Sequence, residues 1–159
     1  MQIRIVAVGK VKENYIRQGI EEFTKRLSPY TEVKMIEVKP EKAGKNLSSA
    51  EIEQVKEKEA DKLLSCLQER AYTIALDLQG KPMTSEGLAK SIDNLQVQGY
   101  STLEFIVGGS LGLAEKVREQ VDYLLTFSHM TFTHQMVRLI LLEQLYRAFK
   151  IMNNEPYHH

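Results

Sequence analysis

A single cysteine, Cys66, is present in this 159-residue sequence, and tryptophan is absent. One thiol cannot form a disulfide within the chain. The neighbours Leu63, Leu64 and Leu67 place Cys66 in an apolar helical pattern. This setting favours a buried structural thiol over a catalytic nucleophile, so the sequence gives no support to thiol catalysis.

An excess of charge of one sign is also missing. The chain has 21 lysine and arginine residues against 21 aspartate and glutamate residues, and its formal net charge at pH 7 is zero. This balance removes the global electrostatic argument for nucleic-acid binding. It leaves room for a local basic surface, because the sum of charges says nothing about their distribution.

Long apolar runs are missing as well. The most apolar segment begins at Gln135, but Arg138, Glu143, Gln144 and Arg147 interrupt it. A helix that crosses a bilayer needs about 20 mostly apolar residues. The amino terminus enters a strand pattern at once, without the features of a secretion signal. We therefore expect a cytoplasmic protein with no membrane partner.

Several familiar motifs do not occur. The pattern G-x-x-x-x-G-K-[ST] and a G-x-G-x-x-G motif after the first strand are absent, which disfavours a nucleotide kinase and an ordinary Rossmann dehydrogenase. The letters of Gly108–Gly112, GGSLG, fit the pattern G-x-S-x-G, but we interpret Ser110 as a turn residue instead of a nucleophile. His129, His134, His158 and His159 lie near the end of the chain without a matching array of cysteines or carboxylates. We therefore expect no metal site.

Five short apolar segments, ended by glycine, proline or polar residues, predict β-strands. They are Ile3–Val8, Glu32–Val38, Tyr72–Leu76, Leu103–Val107 and Tyr123–Phe127. Apolar residues at three- and four-residue steps predict helices between them and after the last one. This alternation predicts an α/β fold with a mostly parallel sheet and flanking helices, in a single domain over residues 1–159.

Two of the predicted helices carry specific expectations. The segment from Ala50 to Gln68 has closely spaced charges of both signs, among them Glu57, Glu59 and Lys62, and we interpret them as a solvated face. The final helix, from Gln135 onward, is apolar nearly all round. Such a helix is typically buried in a core or against a protein partner.

Parallel sheets bind ligands at the carboxyl ends of their strands. Three segments follow predicted strands there, namely Leu76–Gly80, Gly108–Gly112 and Ser128–Phe132. Their glycines permit close approach of the backbone to a ligand, and exposed amides and carbonyls can bind an adenine edge or a ribose. The alternative is that these glycines only form tight turns.

The order and spacing of five motifs resemble the SPOUT-class ribosomal RNA large subunit methyltransferase H family. The motifs are AVGK-x-KE-x-Y near the amino terminus, LDLQGKPMTSEGLA from Leu76, FIVGGSLGL from Phe105, MTFTHQMVRLILLEQLYRAF from Met130, and the tail PYHH. The resemblance spans essentially the whole chain. It implies a homodimeric SPOUT-type α/β protein with a carboxy-terminal trefoil knot, in which the final helix forms part of the knot and of the dimer interface.

The resemblance also implies a cofactor and a reaction. S-adenosylmethionine is expected at Leu76, at Gly108 and at the loop Phe127, Ser128, His129, Met130, Thr131 and Phe132. The implied reaction is methylation of N3 of a pseudouridine in a stem-loop of large-subunit (23S) ribosomal RNA, on the assembled ribosome. A dedicated nucleophile is unnecessary, because the sulfonium already activates the methyl group and the enzyme chiefly has to align the two reactants.

Four polar residues are candidates for handling the RNA base. His134, Tyr157 and His158 are the candidate catalytic residues, since a histidine exchanges protons near neutral pH and an aromatic ring can stack on a base. Arg138 is the candidate contact to RNA. The alternatives are that His134 caps the final helix and that Arg138 forms an ion pair across the dimer.

Two positions depart from the family pattern. Thr133 stands where the family generally has proline, but its hydroxyl can still cap a helix. His159 stands where a lysine or arginine usually ends the tail. Two other classes of function stay open: an RNA-binding or ribosome-assembly module without activity, and an α/β enzyme that binds a different adenosine-containing ligand at the GGSLG loop.

Overall fold

The computed structural model describes residues 1–158. Strands and helices alternate along this part of the chain. The elements are β1 (Gln2–Val8), α1 (Asn14–Leu27), β2 (Glu32–Val38), α2 (Ser49–Ser65), β3 (Tyr72–Pro82), α3 (Ser85–Val97), β4 (Thr102–Val107), α4 (Glu115–Gln120), β5 (Tyr123–Thr126) and α5 (His134–Met152). Within residues 1–158, no helix is both long enough and apolar enough to cross a membrane.

The five strands form one sheet in the order β2-β1-β4-β3-β5, and every neighbouring pair is parallel. The predicted α/β fold with a parallel sheet and flanking helices is therefore confirmed. Every carboxyl end lies at the same edge of the sheet, so the loops that follow β3, β4 and β5 are neighbours in space.

The sheet is covered on both faces. Alternate residues of β1 point to opposite sides: Ile3 and Ile5 belong to the core packed against α1, α3 and α5, whereas Val6 and Val8 belong to the core packed against α2 and α4. A parallel sheet buried on both faces explains why β1 and β4 are almost continuously apolar.

One ion pair is buried inside this sheet. Arg4 of β1 and Glu104 of β4 are directly opposite in the strand register, and Arg4 Nη1 lies 2.8 Å from Glu104 Oε1. Arg4 Nη2 donates to the Cys66 carbonyl at 3.0 Å, and the Gln68 amide donates to Glu104 Oε2 at 3.1 Å. Burial raises the pKa of Glu104. The Gln68 amide and Arg4 act in the opposite direction and offset this rise only in part. The pair therefore ties the end of α2 to the sheet.

The final helix is buried, as its sequence predicted. α5 lies between α1 and α3, and Leu141, Leu142 and Leu145 are completely inaccessible. A Cβ placed on Gly19 of α1 would lie 2.8 Å from Leu139 Cδ1, so α1 and α5 approach closely because residue 19 has no side chain. The trefoil knot and the dimer interface stay predictions.

Three local expectations change. The side chain of Thr133 caps α5 by accepting from the Met136 amide at 3.2 Å, so His134 is not the cap. Glu59 is 6% exposed, and its assignment to a solvated face was wrong. Cys66 is half-buried and ends α2 instead of lying within it.

The pairing of β3 with β5 shapes the ligand edge of the sheet. Leu76 pairs with Leu125, and Lys81 then pairs with the same residue, so the four intervening residues bulge out of the strand. A Cβ at Gly80 would lie 2.5 Å from the carbonyl carbon of Leu125. Only glycine fits there, because no real Cβ tolerates a backbone atom at that distance.

Replacing Gly80 by alanine should destabilise the fold, since the new methyl group must push β5 away from β3. Overpacking of this kind costs about 1–3 kcal/mol. Denaturant unfolding of Gly80→Ala measures the loss. Gly44→Ala is the matched control, because a Cβ at Gly44 meets nothing within 4 Å, and its change should stay within about 0.5 kcal/mol. Equal stability of the two variants would contradict this explanation of the bulge.

Candidate active site

A cavity of about 670 Å³ lies at the carboxyl ends of β4 and β5, beside the bulge in β3. Its walls come from residues 76–79, 107–113, 125–128 and 130–133, which include most of the three segments that the sequence singled out, together with the first turn of α5 and Arg118 of α4. A volume in this range suits a nucleoside-sized ligand, since small-molecule sites typically measure about 300–1,000 Å³.

Most of the expected cofactor residues meet in this cavity. Those that line it are Leu76, Gly108, Phe127, Ser128, Met130, Thr131 and Phe132. His129 belongs to the same loop but is not among the lining residues. His134, a candidate catalytic residue, does line the cavity. Arg138, Tyr157 and His158 lie outside it.

The glycine-rich loop after β4 is a tight turn as well as a cavity wall. The Gly112 amide donates to the Gly109 carbonyl at 3.1 Å, and Gly112 has a φ of 87°, a conformation that favours glycine. Beneath the turn, a Cβ on Gly109 would lie 3.1 Å from Glu59 Oε2. Burial raises the pKa of Glu59, although its carboxylate accepts from the Glu41 amide.

The Asp77 carboxylate holds the bulge in β3, a role that the sequence analysis missed. Asp77 Oδ1 accepts from the Gln79 amide at 2.8 Å, and Asp77 Oδ2 accepts from Arg118 Nε at 3.0 Å. Burial alone lowers the pKa of Arg118, but Asp77 and Glu115 outweigh it and the net pKa is raised. An aspartate directly after a buried strand was the available signal.

The loop after β5 is folded by its own hydroxyl groups. Thr126 Oγ1 donates to the Ser128 carbonyl at 2.8 Å, and the Met130 amide donates to Ser128 Oγ at 3.0 Å. Within residues 1–158, the amides of Thr131 and Phe132 have no protein acceptor. Met130 is 74% exposed and Phe132 is 43% exposed. The loop thus offers apolar surface and free backbone donors, a set that fits an adenosine-containing ligand.

The environment of His134 favours its neutral form. Burial, and then the positive charges of Arg138 and Lys12, lower the pKa of His134 below its ordinary value. A neutral imidazole has a nitrogen lone pair and can accept a proton. The residue that reaches the cavity can therefore act as a base at neutral pH.

Arg138 is completely buried. Its Nη2 donates to the Val8 carbonyl at the end of β1, at 2.7 Å, and Glu37 Oε1 lies 3.8 Å from Nη1. Burial lowers the pKa of Arg138, partly offset by Glu37. In the single chain no surface of this guanidinium is open to a phosphate, so the geometry gives no support to the RNA contact, which stays a prediction. The ion pair observed for it lies within the chain.

The tail packs on its own chain, away from the cavity. Tyr157 stacks edge-on against Tyr146, with ring centroids 4.8 Å apart, and its hydroxyl donates to Glu143 Oε1 at 3.1 Å. His158 Nε2 lies 2.7 Å from Glu86 Oε1 at the start of α3. The structure therefore does not bring Tyr157 and His158 together with His134. His159 lies outside the described residues.

Comparison with known proteins identifies the family. A family model described as a predicted SPOUT methyltransferase matches residues 1–158. The chain belongs to the SPOUT methyltransferase family. It is an enzyme family, and its reaction requires a methyl donor. Within residues 1–158, no three histidine, cysteine, aspartate or glutamate side chains are grouped as a metal site requires.

Curated relatives of this methyltransferase match over the whole length. Proteins named ribosomal RNA large subunit methyltransferase H from Halothermothrix orenii, Clostridioides difficile and Finegoldia magna are 65%, 54% and 52% identical to it, each over 99% of both chains. The solved structure of a probable methylase family protein from Haemophilus influenzae Rd KW20 matches with a TM-score of 0.57 at 14% identity, covering 99% of this chain and 70% of that chain. This last likeness shows the fold alone.

Proposed function

We propose that this protein methylates large-subunit (23S) ribosomal RNA, with S-adenosylmethionine as the methyl donor and N3 of a stem-loop pseudouridine as the acceptor. The observation that carries the proposal is the full-length similarity to relatives that bear the name ribosomal RNA large subunit methyltransferase H. The resemblance of the motifs to that family supplies the acceptor atom and the assembled ribosome as the substrate. The cytoplasm is the expected compartment.

The cavity supports the choice of donor. Free amides at Thr131 and Phe132 and the apolar walls at Leu76 and Phe127 suit an adenosine group. When bound, S-adenosylmethionine supplies a methyl group that its sulfonium already activates. What the protein contributes is the position of the acceptor base and a place for the proton released from N3.

His134 is the residue best placed to take that proton. It lines the cavity, and burial beside Arg138 and Lys12 keeps its imidazole neutral at a pH where an ordinary histidine begins to gain a proton. A neutral histidine can hydrogen-bond the imide N–H and then accept its proton. This role requires the base to enter next to the first turn of α5.

A homodimer would reconcile the position of the tail with a role in the reaction. Tyr157 and His158 pack on α5 and α3 of their own chain, outside the cavity of that chain. For these side chains to take part in the reaction, a second copy must bring them to the cavity of the first. We therefore include a homodimer in the proposal, with each tail completing the site of the partner subunit.

Calorimetric titration with S-adenosylmethionine tests the proposed cofactor. The parent should bind, and a folded Gly108→Arg variant should not, because a Cβ at Gly108 already lies 3.0 Å from Leu113 Cδ2 and an arginine must displace the cavity wall. Gly44→Arg is the control, since a Cβ at Gly44 meets nothing within 4 Å, and it should bind like the parent.

The same titration separates the alternative functions. An assembly module would be favoured if the parent protein bound ribosomal RNA but did not bind S-adenosylmethionine and transferred no methyl group to assembled ribosomes. Competition by NAD or ATP in place of S-adenosylhomocysteine would favour a different adenosine-dependent enzyme. Either result would overturn the proposed function.

The pH dependence of methylation tests His134. Because the pKa of His134 is lowered, its neutral form dominates above about pH 6.5, the ordinary histidine value. The rate should fall only as the pH drops below that value, when the base becomes protonated. His134→Gln should remove this acid limb and slow single-turnover methylation about 10²- to 10⁴-fold, with S-adenosylmethionine affinity retained. An unchanged acid limb in the variant would exclude His134 as the base.

Mixed dimers test the role of the tail. A Tyr157→Ala/His158→Ala double variant should lose methylation and keep its affinity for S-adenosylmethionine. Co-expression with Gly108→Arg should restore part of the activity, because one site of the mixed dimer then has an intact cavity and an intact partner tail. Failure to restore activity in a purified mixed dimer, or loss of cofactor affinity in the double variant, would contradict a tail that acts across the dimer.

A further inference from the structure

The segment from Lys10 to Tyr15, which runs from the end of β1 into the first turn of α1, combines exposed cations with an exposed aromatic ring. Lys10 and Lys12 are both exposed, and Tyr15 is 62% exposed. A tyrosine this open to solvent buries little of its ring in the fold, so packing does not explain it. None of these three residues lines the cavity.

This segment is fixed to the rim of the cavity. The amides of Lys12 and Glu13 both donate to Gln135 Oε1, at 2.8 Å and 3.2 Å, and Gln135 and His134 line the cavity. The strand order gives the same placement, because β1 is the immediate neighbour of β4, whose loop forms a cavity wall. Lys12 is also close enough to lower the pKa of His134.

The cations here are not neutralised by the fold. Within residues 1–158, Lys10, Lys12 and Arg17 have no carboxylate within 4.0 Å. By contrast, Lys62 and Lys116 on the opposite face of the sheet form ion pairs with glutamates. The free cations therefore produce a local positive surface on a chain of zero net charge.

The next loop along the sheet edge extends this surface. It follows β2, which pairs with β1 on the side away from β4, and it carries the exposed residues Lys42 and Lys45. Neighbouring strands lie about 4.8 Å apart, so the carboxyl ends of β4, β1 and β2 form a continuous edge about 10 Å long. A polyanion that enters the cavity can continue along these loops.

We propose that the Lys10–Tyr15 segment is the RNA-binding surface that holds the strand beside the target nucleotide, with Lys10 and Lys12 on phosphates and Tyr15 stacked on an unpaired base. The inference rests on the proposed function, because it assumes a ribosomal RNA substrate. Basic side chains next to an exposed aromatic ring are the combination by which proteins bind unpaired nucleotides.

The test compares three variants on assembled ribosomes from a strain that lacks this methyltransferase. Lys10→Ala/Lys12→Ala should raise KM for ribosomes about tenfold. It should also reduce the salt dependence of binding to a single-stranded RNA, by about 0.7 in log–log slope for each phosphate that the variant no longer neutralises. Tyr15→Ala should weaken binding about tenfold with little change in that slope, since stacking is not electrostatic. Tyr15→Phe should behave like the parent.

Lys25→Ala/Lys90→Ala is the matched control, because both lysines are exposed and lie on α1 and α3, outside the cavity rim. It should leave KM unchanged. Equal effects of the two double variants, or loss of S-adenosylmethionine affinity in Lys10→Ala/Lys12→Ala, would overturn the inference. The proposed function would still stand if the parent protein methylated ribosomes. A parent that does not methylate ribosomes would overturn both.

Discussion

The position of β3 between β4 and β5 is the constraint on which the cavity depends. β3 is hydrogen-bonded to both strands, so the bulge in β3 and the loops that follow β4 and β5 meet at one edge. Its pairing with β5 is interrupted by the bulge after Leu76 and resumes at Lys81, which is possible because Gly80 has no side chain to collide with β5. The bulge in turn presents Asp77 to Arg118. One irregular strand pair thus gives the cavity its shape.

A second constraint joins the two ends of the chain. Arg138 in the first part of α5 donates to the Val8 carbonyl at the end of β1, and Gln135 binds two amides of the following segment. Within residues 1–158, Arg138 Nε and Nη1 have no hydrogen-bond acceptor. A buried guanidinium with unused donors costs stability. Arg138 nevertheless joins α5 to the end of β1, next to Gln135 on the cavity rim.

Much of the fold was predictable because local patterns determine it. The strands are short, apolar and bounded by glycine, proline or polar residues, and the helices have regular apolar spacing, so their alternation identified a parallel α/β sheet. The cavity loops were predictable for the same reason, since they follow strands. Resemblance to a known family added the cofactor and the reaction, which cannot be inferred from the periodicity of apolar residues.

The remainder depends on contacts between residues far apart in the chain. The burial of Arg138 requires β1 to lie beside α5, 130 positions away in sequence. Glu59 is in a charged segment, yet it is buried, with the turn at Gly109 and the Glu41 amide against its carboxylate. The extension of β3 to Pro82 follows from its pairing with β5. The tail position depends on Tyr146 and Glu86 in two different helices.

The place of α5 in the core has a consequence for biosynthesis. The amino-terminal part of a chain leaves the ribosome first, but a domain generally folds as a unit, and the core between α1 and α3 includes Leu141, Leu142, Leu145 and Phe149 of α5. The edge strand β5 and the cavity loop that follows it are also synthesised after most of the sheet. The cavity segment of β3 can pair with β5 only after β5 has been made. The apolar face between α1 and α3 therefore stays unfilled until α5 has been synthesised, and the binding cavity is complete only after the loop that follows β5 has been made.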